Sequence, residues 1–103
     1  MKTRHLAAAI GLAMLPLCAI AADESALAQK SGCLACHAVD KKVVGPAYKD
    51  VAAKYKGDKN AHVKLEEKVK KGGAGVWGPV PMPPNSQVSD ADIKKLVAWV
   101  LSL

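Results

Sequence analysis

The sequence predicts an all-α domain made of short helices. The closing segment, residues 89–101, repeats apolar side chains at helical spacing. Gly- and Pro-rich segments at 45–46 and 72–87 separate the other helical patterns. Residues 22–103 contain no convincing alternation of apolar and polar side chains of the kind that marks a half-buried strand. We therefore expect three or four helices joined by loops.

The first 21 residues have the layout of a secretory signal peptide. Lys2 and Arg4 precede an apolar run that ends in the small-residue pattern AIA, and cleavage is expected after Ala21. A membrane anchor is the alternative, but the run contains a proline and is shorter than the ~20 residues of a spanning helix. This predicts a leader at 1–21, a domain at 22–103 and a periplasmic location.

The composition of the domain indicates that it needs a stabilising group beyond its own side chains. Residues 22–103 contain no phenylalanine, two cysteines, and one methionine, Met82. Domains of about this size usually need a disulfide, a metal or another cross-link to support so small a core. Removing Lys2 and Arg4 lowers the net charge from +6 to +4, which suits an acidic partner or simple solubility equally well.

The first three helices are marked by their ends. The segment DESALAQKSG starts with acidic residues, expected in the first helical turn, and stops at Gly32. A second helix, from about residue 47 to 56, follows the Gly45-Pro46 breaker and ends before a glycine. Asn60 is the expected N-cap of the third helix, which ends at Gly72.

The fourth helix has the clearest pattern. Ser89 is its expected N-cap, with Asp92 three residues later in a variant of the capping box. One apolar stripe follows, formed by Ile93, Leu96, Val97, Val100 and Leu101. The preceding segment, GGAGVWGPVPMPPNSQ, contains four prolines and is expected to be a loop.

The motif Cys33-Leu34-Ala35-Cys36-His37 is the candidate functional site. A structural zinc site needs about four ligands, and the next histidine, His62, lies far along the chain. A thiol-redox pair belongs to a context with strands, and a plain disulfide leaves the histidine without a role. The remaining interpretation is covalent haem attachment, with two thioether bonds and the histidine as an axial iron ligand.

A haem would also supply the missing core. It is a large, flat, apolar body around which short helices can pack. Eight side chains are expected to pack there: Val44, Val51, Leu65, Val69, Ile93, Leu96, Val97 and Val100.

The sixth iron ligand decides between electron transfer and ligand chemistry. Met82 lies between prolines, which lower the entropy lost when the loop is ordered, and we expect its thioether to bind the iron. His62 is the other candidate, and it is expected to be solvated instead. An open position would permit peroxide or gas chemistry, whereas a His/Met pair raises the reduction potential and favours electron carriage.

The chain resembles the small bacterial class I c-type cytochromes, and especially the cytochrome c-551 group. The resemblance lies in GCLACHAVD, VVGPAYKDVAAKY, GVWGPVPMPPN and IKKLVAWVLSL, and so covers essentially all of residues 22–103. It implies the small monohaem class I fold, with three or four helices around one covalent haem c and its iron. It also implies that Cys33 and Cys36 hold the haem, with His37 and Met82 axial.

The resemblance assigns further roles and shows two departures. It implies that the Pro46 carbonyl accepts from His37, that Trp77 donates to a haem propionate, and that Asn85 hydrogen-bonds near the Met82 sulfur. Two positions depart from the pattern. Ala28 stands where relatives often have an aromatic in the first helix, which suggests looser or differently filled packing. Lys68 stands where some relatives have an arginine near the propionates. A lysine lacks the planar fork of arginine, so an ion pair between residue 68 and a propionate is in question.

The function implied is that of a soluble, monomeric, one-electron carrier in a respiratory or denitrification chain, and not an enzyme. Its expected partners are transient redox proteins: a donor such as a membrane quinol-oxidising complex, and an acceptor such as nitrite reductase or a terminal oxidase. Neither nucleic acid nor stable membrane insertion is expected. Lysines near the haem edge would steer acidic partners: Lys30, Lys41, Lys42, Lys49 and Lys54. The alternatives are a haem enzyme with displaceable Met82 and a thiol oxidoreductase.

Overall fold

Four α-helices make up the framework of the computed structural model, which describes residues 22–103. They are α1 (Ser25–Lys30), α2 (Tyr48–Tyr55), α3 (Ala61–Lys71) and α4 (Asp90–Leu101), with a short 3₁₀ turn at Cys33–Ala35. Within this range the only β pairing is two isolated bridges, so the predicted all-α class is confirmed. The predicted leader, 1–21, lies outside the described residues. None of the described helices is both long and apolar enough to cross a membrane.

The start of α4 is capped as the sequence predicts. The Ser89 side-chain oxygen accepts a hydrogen bond from the backbone N–H of Asp92, with 3.1 Å between the two atoms. This bond satisfies one of the donors that the first turn of a helix leaves without a partner. Because α4 contacts the other three helices, its correct start also sets their positions.

Two other helix starts differ from the prediction. Helix α1 begins at Ser25, so the acidic residues precede its first turn, and the Asp23 carboxylate accepts from the Ser25 N–H at 2.9 Å. Asn60 occupies the N-cap position of α3, but its side chain makes no capping bond. The Asp58 carboxylate serves this end instead, since it accepts from the Asn60 N–H at 2.8 Å and pairs with Lys64.

The core is built on the apolar face of α4. Ile93, Leu96, Val97 and Val100 are buried as predicted, whereas Leu101 is only half-buried. Trp99, which lies outside the predicted stripe, is 5% exposed. Its burial follows from the position of α4, because a helix with neighbours on several sides buries more than one stripe.

Ala28 shows how the crossing of α1 and α4 is filled. Its side chain is fully buried, and it belongs to the same hydrophobic cluster as Tyr48 and Trp99. The rings of this cluster come from α2 and α4, so helices other than α1 supply its aromatic side chains. The looser or differently filled packing suggested by the resemblance stays a prediction.

Replacing the α4 cap tests how much of the fold depends on this helix. We expect Ser89→Ala to lower the free energy of unfolding by about 1 kcal/mol, because one N–H of the first turn loses its partner. Chemical denaturation of the haem-loaded protein measures the change. Ser86→Ala, at an exposed loop position nearby, is the matched control and should change stability by less than about 0.5 kcal/mol. Equal losses in the two variants would contradict this role of Ser89.

Candidate haem-binding cavity

The two cysteines are presented by the 3₁₀ turn that follows α1. Gly32, at φ 82°, connects the two elements in the left-handed conformation that favours glycine. The backbone N–H of His37 donates to the Cys33 carbonyl at 3.0 Å, which folds the motif back on itself. Cys33 and Cys36 are both free thiols and both line one cavity together with His37. Their positions agree with the predicted attachment motif.

The imidazole of His37 is held by the segment that precedes α2. Its Nδ1 lies 2.8 Å from the Pro46 carbonyl oxygen, the contact that the resemblance implied. Donation from Nδ1 leaves the Nε2 lone pair available for a metal ion. A side chain at Gly45 would overlap the Cε1 atom of the same ring and stand 2.8 Å from Nδ1. Gly45, interpreted from the sequence only as a helix breaker, is thus required for close approach to His37.

Met82 is fixed to the end of α3 by a pair of backbone hydrogen bonds. Its N–H donates to the Gly73 carbonyl at 2.8 Å, and the Gly73 N–H donates to its carbonyl at 3.0 Å. Gly72 and Gly73 both have positive φ, and a side chain at Gly72 would overlap the Met82 carbonyl oxygen. The GG pair, interpreted from the sequence as a helix stop, also lets the methionine loop approach α3. Met82 lines the same cavity as His37.

Asn85 reinforces this loop from outside the cavity. Its side-chain amide donates to the Val69 carbonyl at 3.0 Å and to the Pro83 carbonyl at 3.3 Å, and its backbone N–H also donates to Val69. Both side-chain bonds go to carbonyl oxygens, and the hydrogen bond near the Met82 sulfur that the resemblance implied stays a prediction. Asn85 therefore joins the loop to α3 on the C-terminal side of Met82.

Trp77 and Lys68 both lie at the cavity. Trp77 is 44% exposed, and the Lys54 ammonium lies 5.5 Å from the centre of its ring, within cation–π range. The role of its indole N–H as a donor to a haem propionate stays a prediction. Lys68 is close to Gly73, since a side chain added there would lie 2.9 Å from its ammonium nitrogen. The cavity lining thus includes an indole and a lysine.

Most of the remaining lining is apolar, with Lys42 and Asp50 as charged exceptions. The cavity has a volume of about 380 Å³, within the range of sites that enclose small molecules and cofactors. Seven of the eight predicted packing residues line it, and Ile93, buried in the core, is the exception. Val44 lines the cavity and is 50% exposed to solvent. Two thiols, an imidazole, a thioether and apolar walls fit a flat, covalently attached iron porphyrin.

The competing interpretations of the cysteine motif lack support. Within residues 22–103, no group of three or more Cys, His, Asp or Glu side chains is placed to bind a metal ion, and His62 does not line the cavity. Burial raises the pKa of the Cys33 thiol. Thiol oxidoreductases need the opposite, because a lowered pKa generates the reactive thiolate.

Comparisons with known proteins agree with this geometry. Cytochrome c-551 of Allochromatium vinosum is 64% identical over 77 residues, covering 75% of this chain and 82% of that protein. Cytochrome c-552 of Nitrosomonas europaea is 50% identical over 103 residues, covering 100% of this chain and 99% of that protein. The crystal structure of wild-type Nitrosomonas europaea cytochrome c552 has a TM-score of 0.73 at 56% identity, covering 75% of this chain and 95% of that one.

The family model described as cytochrome c matches residues 21–103, which is the whole of the described domain. The chain therefore belongs to the cytochrome c family, as a small class I c-type cytochrome near the c-551 group.

Proposed function

We propose that this monohaem c-type electron carrier holds its iron between His37 and Met82 and works in the periplasm. The observation that carries the proposal is the convergence of Cys33, Cys36, His37 and Met82 on one apolar cavity. The two thiols would hold the haem covalently, and the His37 nitrogen and the Met82 sulfur would bind its iron. A protein with both positions filled passes electrons without binding a substrate at the metal.

When bound, haem c supplies a one-electron Fe³⁺/Fe²⁺ couple. The Pro46 carbonyl fixes the His37 ring and increases the basicity of its Nε2 atom. The Met82 thioether is a soft, neutral donor that favours ferrous iron, so it raises the reduction potential. The apolar walls act in the same direction, because a site of low polarity disfavours the extra positive charge of the ferric state.

We also propose that residues 1–21 export the protein. A basic start, an apolar run and a small-residue end support a cleavable leader ahead of the domain that begins at residue 22. Export is compatible with the chemistry, because the covalent attachment of haem to such motifs takes place outside the cytoplasm. Lys41 and Lys42 are exposed next to the motif, and Lys42 lines the cavity, so positive charge is available there to guide acidic partners.

The partners we propose are transient redox proteins of a respiratory or denitrification chain. A donor such as a quinol-oxidising complex and an acceptor such as nitrite reductase or a terminal oxidase fit a small carrier of this kind. Brief, small interfaces are typical of such encounters. A monomer is consistent with this role because each encounter needs one accessible cofactor edge.

Removing the thioether tests the axial pair. We expect Met82→Ala to lose the sulfur–iron absorption band of the ferric state and to bind carbon monoxide rapidly when ferrous. The reduction potential should fall by roughly 0.1 V or more, within the ~0.8 V range that axial ligands span. Visible spectroscopy and potentiometry measure these changes. His62→Gln is the control and should keep both the band and the potential. A band that survives in Met82→Ala would show that Met82 is not the sulfur ligand.

A mass spectrum of periplasmic protein tests export and attachment together. The expected mass is that of residues 22–103 plus one haem, with no thiol available to alkylating reagents because both sulfurs are bound. The paired substitution of Cys33→Ser and Cys36→Ser should yield colourless protein. Material from the unsubstituted gene that carries free thiols and no added mass would refute covalent attachment, whereas a retained leader would refute cleavage alone.

Reversing two charges tests the lysine surface. We expect Lys41→Glu with Lys42→Glu to slow oxidation of the ferrous protein by anionic hexacyanoferrate(III) roughly tenfold at low salt, because attraction becomes repulsion. Stopped-flow rates at several ionic strengths measure the effect. Lys94→Glu with Lys95→Glu changes the same net charge on the outer face of α4 and should have a much smaller effect. Identical salt dependence in the two double variants would exclude local steering.

A further inference from the structure

Three rings form a continuous line from the cavity into the core. The rings of His37 and Tyr48 are stacked, with their centres 4.9 Å apart and their planes 21° apart. Tyr48 in turn meets Trp99 edge to face, with centres 5.6 Å apart at 75°. Both arrangements are favourable for aromatic rings. The imidazole at the cavity is thus connected through one side chain to the buried face of α4.

Tyr48 is itself firmly placed. It is the first residue of α2, it is 8% exposed, and it lies in the central hydrophobic cluster. Its backbone N–H donates to the Ala38 carbonyl at 2.9 Å, directly after His37 in the chain. Tyr48 is therefore anchored both by the core and by the segment that carries His37.

The hydrogen bond at Nδ1 and the covalent link through Cβ both lie in the plane of the imidazole, so together they set that plane. Two further contacts resist rotation of the ring out of it: the backbone at Gly45, where no side chain would fit beside the ring, and the stacked ring of Tyr48. The plane of the ring is therefore held by packing as well as by the hydrogen bond.

We propose that Tyr48 is a positioning residue, and that with Gly45 it restricts rotation of the His37 imidazole out of the plane that the Pro46 bond sets. The inference rests on the proposed axial role of His37. The plane of an axial imidazole determines which iron orbital its π electrons overlap, and therefore how unpaired spin is distributed over a ferric haem. Tyr48 also lines the cavity, and the effect proposed for it on the electronic state is exerted through His37.

Paramagnetic NMR of the ferric, haem-loaded protein tests the proposal. We expect Tyr48→Leu, which removes the stacked ring, to alter the order or spread of the haem-methyl shifts. Solvent exchange of the His37 Nδ1–H should become roughly tenfold faster, because the loss of one ring contact makes opening easier. Tyr48→Phe keeps the ring and removes only the hydroxyl, so it should retain both the shift pattern and the slow exchange.

A core variant separates positioning from general loosening. Ile93→Val shortens a buried side chain of the same cluster that does not line the cavity, and it should leave the shift pattern unchanged. An unchanged pattern in Tyr48→Leu, or an equal change in Ile93→Val, would overturn the proposal.

Gly45→Ala provides a second route if Tyr48→Leu does not fold. Its added methyl group must displace the His37 ring and so alter the haem-methyl shift pattern. An unaltered pattern would count against the proposed role of Gly45 in holding the ring. Absence of imidazole–iron coupling in the unsubstituted protein would refute instead the axial role of His37.

Discussion

The structure depends on one constraint: its short helices enclose a cavity for a cofactor instead of a core made only of side chains. The helices of the described domain run from 6 to 12 residues, and such lengths are marginal by themselves in water. They are stabilised by packing on α4 and by the apolar surface that they share around the cavity. Covalently attached haem would stabilise such a domain, because the cofactor contributes apolar area that a small domain without phenylalanine lacks.

The two proposed axial donors are held in different ways. His37 is held by side-chain contacts, namely a hydrogen bond to the Pro46 carbonyl and close contact with Gly45 and Tyr48. Met82 is held through its backbone, by two hydrogen bonds to Gly73 in a loop stiffened by prolines. In both cases a glycine permits an approach that a side chain would block. A carrier benefits from such rigid donors, because neither oxidation state then requires the site to rearrange.

The residues that line the cavity are mostly apolar, with a few charged or polar side chains among them. The apolar lining comes from α2, α3, α4 and the loop, whereas Lys42, Lys68, Asp50 and the indole of Trp77 are its polar members. Lys54 adds a further positive charge next to the Trp77 ring. In the proposed function, the apolar lining raises the reduction potential and the lysines attract acidic partners.

The sequence by itself determined the class of cofactor. The spacing of Cys33, Cys36 and His37 indicates covalent haem, because thioether attachment depends on short-range order along the chain, and the position of Met82 among prolines is the basis of the proposed axial pair. It also determined that four helices form and that Ser89 caps the last of them, which are local properties, whereas the starts of α1 and α3 differ from the prediction. Only the tertiary structure decided the functions of Gly45, Gly73, Tyr48 and Trp99, the destination of the Asn85 amide, and the filling around Ala28. These depend on contacts between segments far apart in sequence, and no local pattern specifies which ring or carbonyl a side chain will meet.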